Sequence, residues 1–371
     1  MNELWDVIFE QEKAKNILSR MFDERRVPHA FLFSGPEGVG KFFTALQFSK
    51  MINTSPDKTN SLFINSKISS LQEPYIKLVF PLPRGKGETA DDSATEKLSQ
   101  DIIDSIWDEI QNKIINPYYK ISIKNANTIK INSVREIRKY ITTTADNINY
   151  RFILIQDAHL MNETAQNAIL KSLEEPPEGI IFVFLTSDKE KLLPTIQSRC
   201  WQINFEPLSV HSVSEILVKH FSVEKVLANR AAILSEGSPL IALELINNQF
   251  EIILEKTISI LRYSLAKKYH SAFRELSDFI KGNTDQSIVT LSRMIKSWLN
   301  DVLKNRHSIF YYYFVDYVET LAKFNTKFHA ADIDRIFYSL DNLERLQMKN
   351  ANLNVISLNL IFEIASLSIR K

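Results

Sequence analysis

The sequence predicts an α/β fold with a parallel sheet, followed by a region made only of helices. Short apolar runs typical of buried strands occur at His29 to Ser34, Phe152 to Ile155 and Ile180 to Leu185. Stretches with helical periodicity separate these runs, and strands that alternate with helices are typical of a parallel sheet. After Pro207 no strand pattern remains, so the last part of the chain is predicted to be helical.

The elements between and beyond these strands follow from local patterns. Apolar residues at three- and four-residue spacing predict helices at Gln11 to Phe22, Lys41 to Ile52, Asp101 to Ile115 and Glu163 to Leu173. A short strand is predicted at residues 129 to 131, with Asn132 or Ser133 capping the helix after it. The polar stretch from Arg84 to Gln100 predicts a flexible loop. Residues 208 to 248 are predicted to form a group of short helices.

The composition is that of a soluble globular protein with two or three domains. The chain has 371 residues, of which 44% are apolar and 24% charged. Its 45 Lys and Arg residues nearly balance its 44 Asp and Glu residues, which disfavours a protein that coats nucleic acid by net charge. The single cysteine, Cys200, excludes an internal disulfide and a thiolate zinc site. No signal peptide or membrane-spanning run is seen, so we expect a cytoplasmic protein with no membrane partner.

Three of the eight glycines fall within six positions, between a predicted strand and a predicted helix. Gly35, Gly38 and Gly40 therefore indicate a backbone with an unusual conformation. Together with Lys41 they match the phosphate-binding loop, whose backbone N–H groups and lysine cradle phosphates at a helix N-terminus. The Ser or Thr that holds magnesium in this motif is replaced by Phe42, and a phenyl ring cannot coordinate a cation that prefers oxygen ligands.

A second motif of ATP-hydrolysing proteins is also altered. The strand ending at Ile155 should be followed by an Asp for the metal and a Glu for the attacking water. The chain instead has Gln156, which is neutral, and Asp157, which is one methylene shorter than Glu. Together with Phe42, these changes predict that magnesium is not held and that the chain does not hydrolyse ATP by itself. Lys41 and the glycines still leave room for weak nucleotide binding.

Four further features each have two interpretations. Arg199 either reaches the γ-phosphate of a neighbouring subunit or pairs with a carboxylate at the surface, and the residues alone favour the pair. His159 is interpreted as packing or capping at a helix start and not as a base or metal ligand, because no acidic or cysteine partners lie at ligand spacing. Cys200 is interpreted as a small buried residue and not as a nucleophile. The aromatic run from Phe310 to Phe314 lacks interleaved basic residues, which favours a core or subunit interface over a base-stacking surface.

Three strings of residues resemble one protein family. They are HAFLFSGPEGVGK, AILKSLEEPP and LLPTIQSRC. At this spacing they resemble the clamp-loader branch of the AAA+ proteins, and within it the delta-prime subunits of bacterial DNA polymerase III. The resemblance is dense over residues 5–50 and 129–207 and only architectural from residue 208 onward. It implies a AAA+ core with a degenerate phosphate loop at residues 1–206, a small helical lid at 207–250 and a helical collar domain for oligomerisation at 251–371.

The resemblance also implies a function in DNA replication. A delta-prime-like chain is a non-catalytic subunit of a clamp loader that opens a sliding clamp at primed DNA. Its partners are gamma/tau and delta subunits, and it meets the clamp and the DNA through the complex. In that family the arginine of the SRC string acts in trans on ATP held by the adjacent gamma/tau subunit. The resemblance therefore assigns Arg199 the role of an arginine finger, against the preference from the residues alone.

The chain departs from the family pattern at two further places. The lid arginine expected just after Gly237-Ser238 is replaced by Pro239 and Leu240, and the zinc module normally held by four cysteines is lost or remodelled within residues 53–78. No zinc, magnesium or other cofactor is therefore expected to be required. The rival hypothesis is an active gamma/tau-like ATPase, which Phe42 and Gln156 disfavour. A third hypothesis, a AAA+ adaptor outside replication, is disfavoured by the SRC string.

Overall fold

The computed structural model describes residues 2–54, 58–89, 91–143, 148–247, 250–281, 287–309, 312–348 and 351–368. The chain divides into two compact units. The first consists of Met1–Ala228 and Glu236–Ile241, and the second of Asn229–Ser235 and Ala242–Lys371. The first unit contains a sheet, whereas the described residues of the second form only helices. The division into core, lid and collar at residues 206 and 250 stays a prediction.

The sheet has five parallel strands, which confirms the predicted α/β class. The strands are β1 Ala30–Ser34, β2 Ile76–Val79, β3 Arg151–Ile155, β4 Ile180–Thr186 and β5 Trp201–Asn204. Their order across the sheet is β2-β3-β4-β1-β5. In the register, Leu32 of β1 lies beside Phe184 of β4, and Leu154 of β3 lies beside Val183. Every residue of the three central strands is buried, so these strands are continuous apolar runs in the sequence.

Helices form most of the remaining regular structure of the described residues. The helices up to residue 247 are α1 Asn2–Trp5, α2 Glu12–Asp23, α3 Lys41–Ile52, α4 Lys58–Ser69, α5 Gln100–Ile115, α6 Ile131–Thr142, α7 Glu163–Glu174, α8 Pro194–Gln197, α9 Val210–Phe221, α10 Lys225–Ile233 and α11 Pro239–Asn247. Those after it are α12 Phe250–Leu265, α13 Tyr269–Lys281, α14 Ser287–Arg306, α15 Val318–Lys327, α16 Ile333–Met348 and α17 Leu353–Ser366. Within the described residues, no helix combines the length and apolar character needed to span a bilayer.

Helices cover both faces of the sheet in the first unit. On one face, Val134 and Ile137 of α6 belong to the same apolar cluster as the buried side chains of β3 and β4. On the other face, the ring of Phe48 in α3 lies edge-on to Phe31 and Phe152, with ring centroids 5.6 and 6.2 Å apart. Because successive side chains of a strand point to opposite faces, the helices on both faces pack against the same strands. This packing holds the carboxyl ends of β1 and β3 at the same edge of the sheet, on either side of β4.

The helical unit contains part of the aromatic run singled out in the sequence. The Asp301 carboxylate in α14 accepts hydrogen bonds from the backbone N–H groups of Tyr313 and Phe314, at 2.7 and 2.8 Å. Phe314 is itself buried, which agrees with an aromatic run that belongs to a core. Phe310 and Tyr311 lie outside the described residues.

The predicted strand at residues 129 to 131 is wrong. Only Ile129 pairs, through an isolated bridge, and α6 already begins at Ile131 with Lys130 as its N-cap. Neither Asn132 nor Ser133 caps the helix, because both lie inside it. The Asn132 amide donates instead to two backbone carbonyls of the loop before α5, at 2.8 and 2.9 Å.

That loop is anchored, in contrast to the flexible loop predicted from its polar sequence. Its described part contains no helix or strand before α5, as predicted. However, Glu88 is buried and its carboxylate accepts a hydrogen bond from Lys130 Nζ at 2.8 Å. Lys130 Nζ also donates to the carbonyls of Pro83 and Ala94, both at 2.9 Å. The buried ion pair therefore ties the loop to the start of α6.

Two strands, β2 and β5, are missing from the sequence prediction. They are the edge strands of the sheet, and each has only four residues. Three of the four residues of β5 are exposed, so its sequence has no apolar run. Both strands owe their conformation to pairing with β3 and β1.

Candidate functional site

The glycine-rich loop joins β1 to α3 at the carboxyl edge of the sheet. Gly35, Gly38 and Gly40 all have positive φ angles, of 147°, 75° and 97°, a region that glycine adopts readily. At Gly35 a Cβ atom would also lie 2.3 Å from the carbonyl oxygen of Phe205. The special backbone conformation predicted from the glycine cluster is therefore present.

Lys41, the first residue of α3, is folded back onto the loop. Its Nζ donates hydrogen bonds to the carbonyls of Gly35 and Pro36, both at 2.5 Å. Burial lowers the pKa of Lys41 to about 8, although the carboxylates of Glu37 and Asp157 oppose the shift. The N-cap of α3 is a glycine, so no side chain caps the helix. The N-terminus of α3 thus faces the loop with a buried lysine at its start.

Lys113, which the sequence analysis did not single out, lies beside Phe42. Its Nζ lies 4.2 Å from the centroid of the Phe42 ring. It donates hydrogen bonds to the carbonyls of Pro117, at 2.9 Å, and Tyr119, at 2.5 Å. Burial lowers the pKa of Lys113 to about 7, although the charge of Asp157 opposes the shift. A second buried ammonium group therefore lies next to the position where the motif has a metal-binding hydroxyl.

One signal in the sequence could have drawn attention to Lys113. The apolar stripe of α5 includes Ile106 and Ile110, and Lys113 continues that stripe at a three-residue spacing. A charged residue in an apolar stripe is rarely buried without partners. The periodicity could thus indicate that Lys113 is buried, but it could not indicate which residues Lys113 contacts.

Gln156 and Asp157 follow β3 at the same edge of the sheet. Gln156 is 7% exposed, and its Oε1 atom has no hydrogen-bond partner within the described part of the chain. Asp157 has a φ of 51°, in the left-handed region that Asp and Asn tolerate better than most residues. Both residues line the same cavity as Lys41 and Lys113. The structure therefore brings together the degenerate positions that were predicted separately from two motifs.

The groups around the loop do not suit a magnesium ion. An ammonium group and an aromatic ring stand where the hard cation would need oxygen ligands. The Glu37 carboxylate is already paired with Lys120 Nζ at 2.6 Å. Over the described ranges, no three His, Cys, Asp or Glu side chains are grouped so that they could hold a metal ion.

Aromatic and apolar side chains cover the loop. A Cβ atom on Gly40 would lie 3.6 Å from the ring of Tyr118, which is 3% exposed and packs against His220 with ring centroids 4.8 Å apart. A Cβ atom on Gly38 would lie 2.9 Å from Cγ of Leu240, one of the two residues that replace the lid arginine. The cavity that remains measures about 60 Å³, well below the roughly 300 to 1,000 Å³ of typical small-molecule sites.

Arg199 lies away from this cavity, between α8 and β5. Its guanidinium donates to the Glu174 carboxylate at 2.7 Å and to the carbonyl of Thr195 at 3.0 Å. The side chain remains 35% exposed. The ion pair anticipated from the residues alone is therefore present, and the guanidinium still reaches the surface.

The two remaining candidates, His159 and Cys200, lie near the sheet. His159 Nδ1 lies 3.2 Å from Oγ1 of Thr186, and burial lowers the pKa of His159. Cys200 packs against the apolar cluster of the sheet, and burial raises the pKa of its thiol to about 12. A buried thiol with a raised pKa does not suit a nucleophile.

A family profile described as DNA polymerase III, delta subunit, matches residues 10–209. The chain belongs to this family. The matched region contains the glycine-rich loop, all five strands and Arg199, so the sheet and the altered motif positions both lie inside it.

Curated relatives are named for another subunit of the same polymerase. The gamma/tau subunit of DNA polymerase III from Mycobacterium bovis is 27% identical over 221 residues, 60% of this chain and 32% of its own length. The gamma subunit from Buchnera aphidicola is 29% identical over 57% of this chain and 47% of its own. The chain thus spans about a third of the gamma/tau subunit and about half of the gamma subunit.

Solved structures align over more of the chain at lower identity. A gamma subunit-related protein of DNA polymerase III from Thermotoga maritima covers 97% of this chain and 100% of its own, at 16% identity and a TM-score of 0.46. The RuvB Holliday junction branch migration motor from the same organism covers 76% of both chains, at 16% identity and a TM-score of 0.38.

Proposed function

We propose that the chain is a non-catalytic, delta-prime-like subunit of the clamp loader of DNA polymerase III. In this role it supplies Arg199 in trans to ATP held by a neighbouring gamma/tau subunit. Gamma/tau and delta subunits are its partners, and the complex loads a sliding clamp on primed DNA. The chain requires no cofactor of its own for this role.

One observation carries the non-catalytic part of the proposal. The magnesium position of the phosphate loop is flanked by the Phe42 ring and the Lys113 ammonium, which lie 4.2 Å apart. Phosphoryl transfer depends on positioning and on metal charge at the phosphates. A site that offers neither a hydroxyl at position 42 nor a carboxylate at Gln156 lacks both protein anchors for that charge.

The surroundings of Arg199 support its proposed role as an arginine finger. Glu174 and the Thr195 carbonyl orient the guanidinium without burying it. Ion pairs at the surface contribute only about 0 to 1 kcal/mol, so a γ-phosphate from a partner can compete with Glu174. Arginine suits this role because its planar fork binds phosphate oxygens bidentately.

The alternative is an active gamma/tau-like ATPase. The names of the curated relatives favour it, as does the retention of Lys41 in a glycine-rich loop. The side chains Phe42, Lys113 and Gln156 stand against it.

The test uses clamp loaders reconstituted with variants of this chain. Arg199→Ala should leave the chain folded and incorporated, because the side chain contributes little to the core. The complex should lose part of its DNA- and clamp-stimulated ATPase and a larger part of its clamp loading, since a finger contributes about 10³- to 10⁵-fold at the single ATP site that it serves.

Glu174→Gln is the matched control, because it removes the same ion pair and keeps the arginine. It should load clamps at close to the normal rate. Normal loading by Arg199→Ala, or equal losses in both variants, would return Arg199 to the role of a surface ion-pair residue.

A further inference from the structure

The cavity at the phosphate loop is small and positively charged. Its charged lining consists of three lysines, Lys41, Lys113 and Lys120, and two acidic residues, Glu37 and Asp157. Glu37 and Lys120 neutralise each other at 2.6 Å. Below pH 7, where Lys41 and Lys113 are both mainly protonated, two ammonium groups outweigh one carboxylate, and the cavity favours an anion over a cation.

Within the described part of the chain, each of the two ammonium groups keeps one hydrogen-bond donor beyond the two that it uses. A lysine ammonium has three donors. Lys41 uses two on the carbonyls of Gly35 and Pro36, and Lys113 uses two on the carbonyls of Pro117 and Tyr119. Both lysines are held in place by backbone atoms, so neither needs to be ordered when a ligand enters.

A third polar group in the cavity has no partner at all. Oε1 of Gln156 is buried and lacks a donor within the described residues, and a buried unsatisfied acceptor is unfavourable. The N-terminus of α3, which no side chain caps, adds backbone N–H groups that favour an anion. Donors and one acceptor thus converge on a single space.

This combination suits one ligand class. Hydrogen phosphate carries negative charge for the two ammonium groups and a hydroxyl proton that Gln156 Oε1 can accept. The cavity of about 60 Å³ is far smaller than the roughly 300 to 1,000 Å³ of typical small-molecule sites, which favours a single phosphate group over a nucleoside.

We propose that the phosphate loop is a magnesium-independent site for inorganic phosphate, in which the Lys113 ammonium supplies the positive charge that a metal ion would otherwise carry. The proposal rests on the proposed function in one respect, namely that the loop no longer turns over ATP. The ligand would lie at the loop, against the segment from Pro117 to Lys120 that lines the cavity.

The first experiment needs only the full-length wild-type chain. Inorganic phosphate is titrated calorimetrically at about pH 6, where Lys113 is protonated, and at constant ionic strength, once with EDTA and once with magnesium. We expect one site with the same Kd, within a factor of two, in both conditions. Sulfate, which has no proton for Gln156, should bind at least several-fold more weakly. No saturable binding, or binding that needs magnesium, would overturn the proposal.

ATP with EDTA is titrated in the same way to distinguish a bare phosphate from the phosphate of a nucleotide. ATP should bind no more tightly than inorganic phosphate, because a cavity of about 60 Å³ gives the nucleoside few contacts. Tighter binding of ATP would overturn the assignment of the ligand.

Variants then test the role of Lys113. Lys113→Met keeps the length of the side chain and should weaken phosphate binding at least tenfold. Lys139→Met removes the same charge at an exposed position of α6 and should leave Kd unchanged. Equal Kd values for wild type and a folded Lys113→Met would refute the role of Lys113. If that variant does not fold, the comparison of phosphate binding with and without magnesium on the wild-type chain still tests the proposal. Neither result affects the Arg199 test, which reads out clamp loading.

Discussion

At the scale of single residues, Phe42 and Lys113 both oppose the binding of a metal ion. A phenyl ring alone would only remove a metal ligand. The buried ammonium beside it, 4.2 Å from the ring centroid, adds a cation that repels a metal. A desolvated cation–π contact contributes about 2 kcal/mol, which helps to offset the burial of Lys113.

The lowered pKa of Lys113 predicts a pH-dependent stability. The unfolded chain binds the lysine proton up to its ordinary pKa of 10.5, whereas the folded chain releases it near 7. Between these values the unfolded state binds more protons, so the free energy of unfolding rises with pH. Each unit of pKa shift corresponds to about 1.4 kcal/mol, so the rise attributable to Lys113 between pH 7 and pH 9 is about 2 kcal/mol.

Urea denaturation of wild type and Lys113→Met at both pH values measures this rise, because other titrating groups cancel in the difference. The wild-type chain should gain about 2 kcal/mol relative to the variant as the pH increases. An unchanged difference would mean that Lys113 titrates at its ordinary pKa in the folded chain.

At the scale of elements, one buried ion pair holds the loop before α5. Lys130 Nζ donates to the Glu88 carboxylate and to two carbonyls, so all three of its donors are used. The Glu88 carboxylate also accepts from the backbone N–H of Gly85 at 2.7 Å. This buried ion pair holds the loop together with Ala94 and Leu98, which are buried in an apolar cluster.

Lys130→Met should destabilise the first unit by about 3 kcal/mol, because it leaves the buried Glu88 carboxylate without its cation. Lys97→Met is the control, since Lys97 is 42% exposed and its nearest carboxylate oxygen is 3.7 Å away. That change should cost less than about 0.5 kcal/mol. Equal midpoints of urea unfolding for the two variants would contradict the anchoring role.

At the scale of the whole molecule, the sheet and the altered motif positions both lie inside the matched family region. The matched family region, residues 10–209, contains every strand of the sheet. The degenerate side chains lie at the carboxyl edge of that sheet, where ligands bind in open α/β folds. The proposed absence of ATP hydrolysis therefore requires only local changes at this edge of the sheet.

The purified chain should release phosphate from magnesium–ATP no faster than background. The double variant Phe42→Ser, Gln156→Asp should also stay at background, although it restores two oxygen ligands, because Lys113 and Tyr118 still occupy the site. Lys41→Ala serves as the control for contaminating ATPases. Turnover that Lys41→Ala abolishes would support an active gamma/tau-like enzyme.

The sequence by itself determined the features that depend on neighbouring residues. The three central strands are buried on both faces, so each is a continuous apolar run that can be recognised in the sequence alone. The glycine loop and its defects at Phe42 and Gln156 are likewise local, because a motif compares residue types at fixed spacing. The family resemblance, carried by the same strings, agrees with the matched profile.

Only the tertiary structure decided the features that depend on distant residues. The edge strands β2 and β5 exist because β3 and β1 supply their hydrogen-bond partners. The polar loop before α5 is anchored because Lys130 reaches it from α6. Lys113 belongs to the phosphate loop because α5 and the segment after it cross Gly40 and Phe42. Desolvation and pairing act through space, and no local pattern of residue types encodes which distant side chain will be the neighbour.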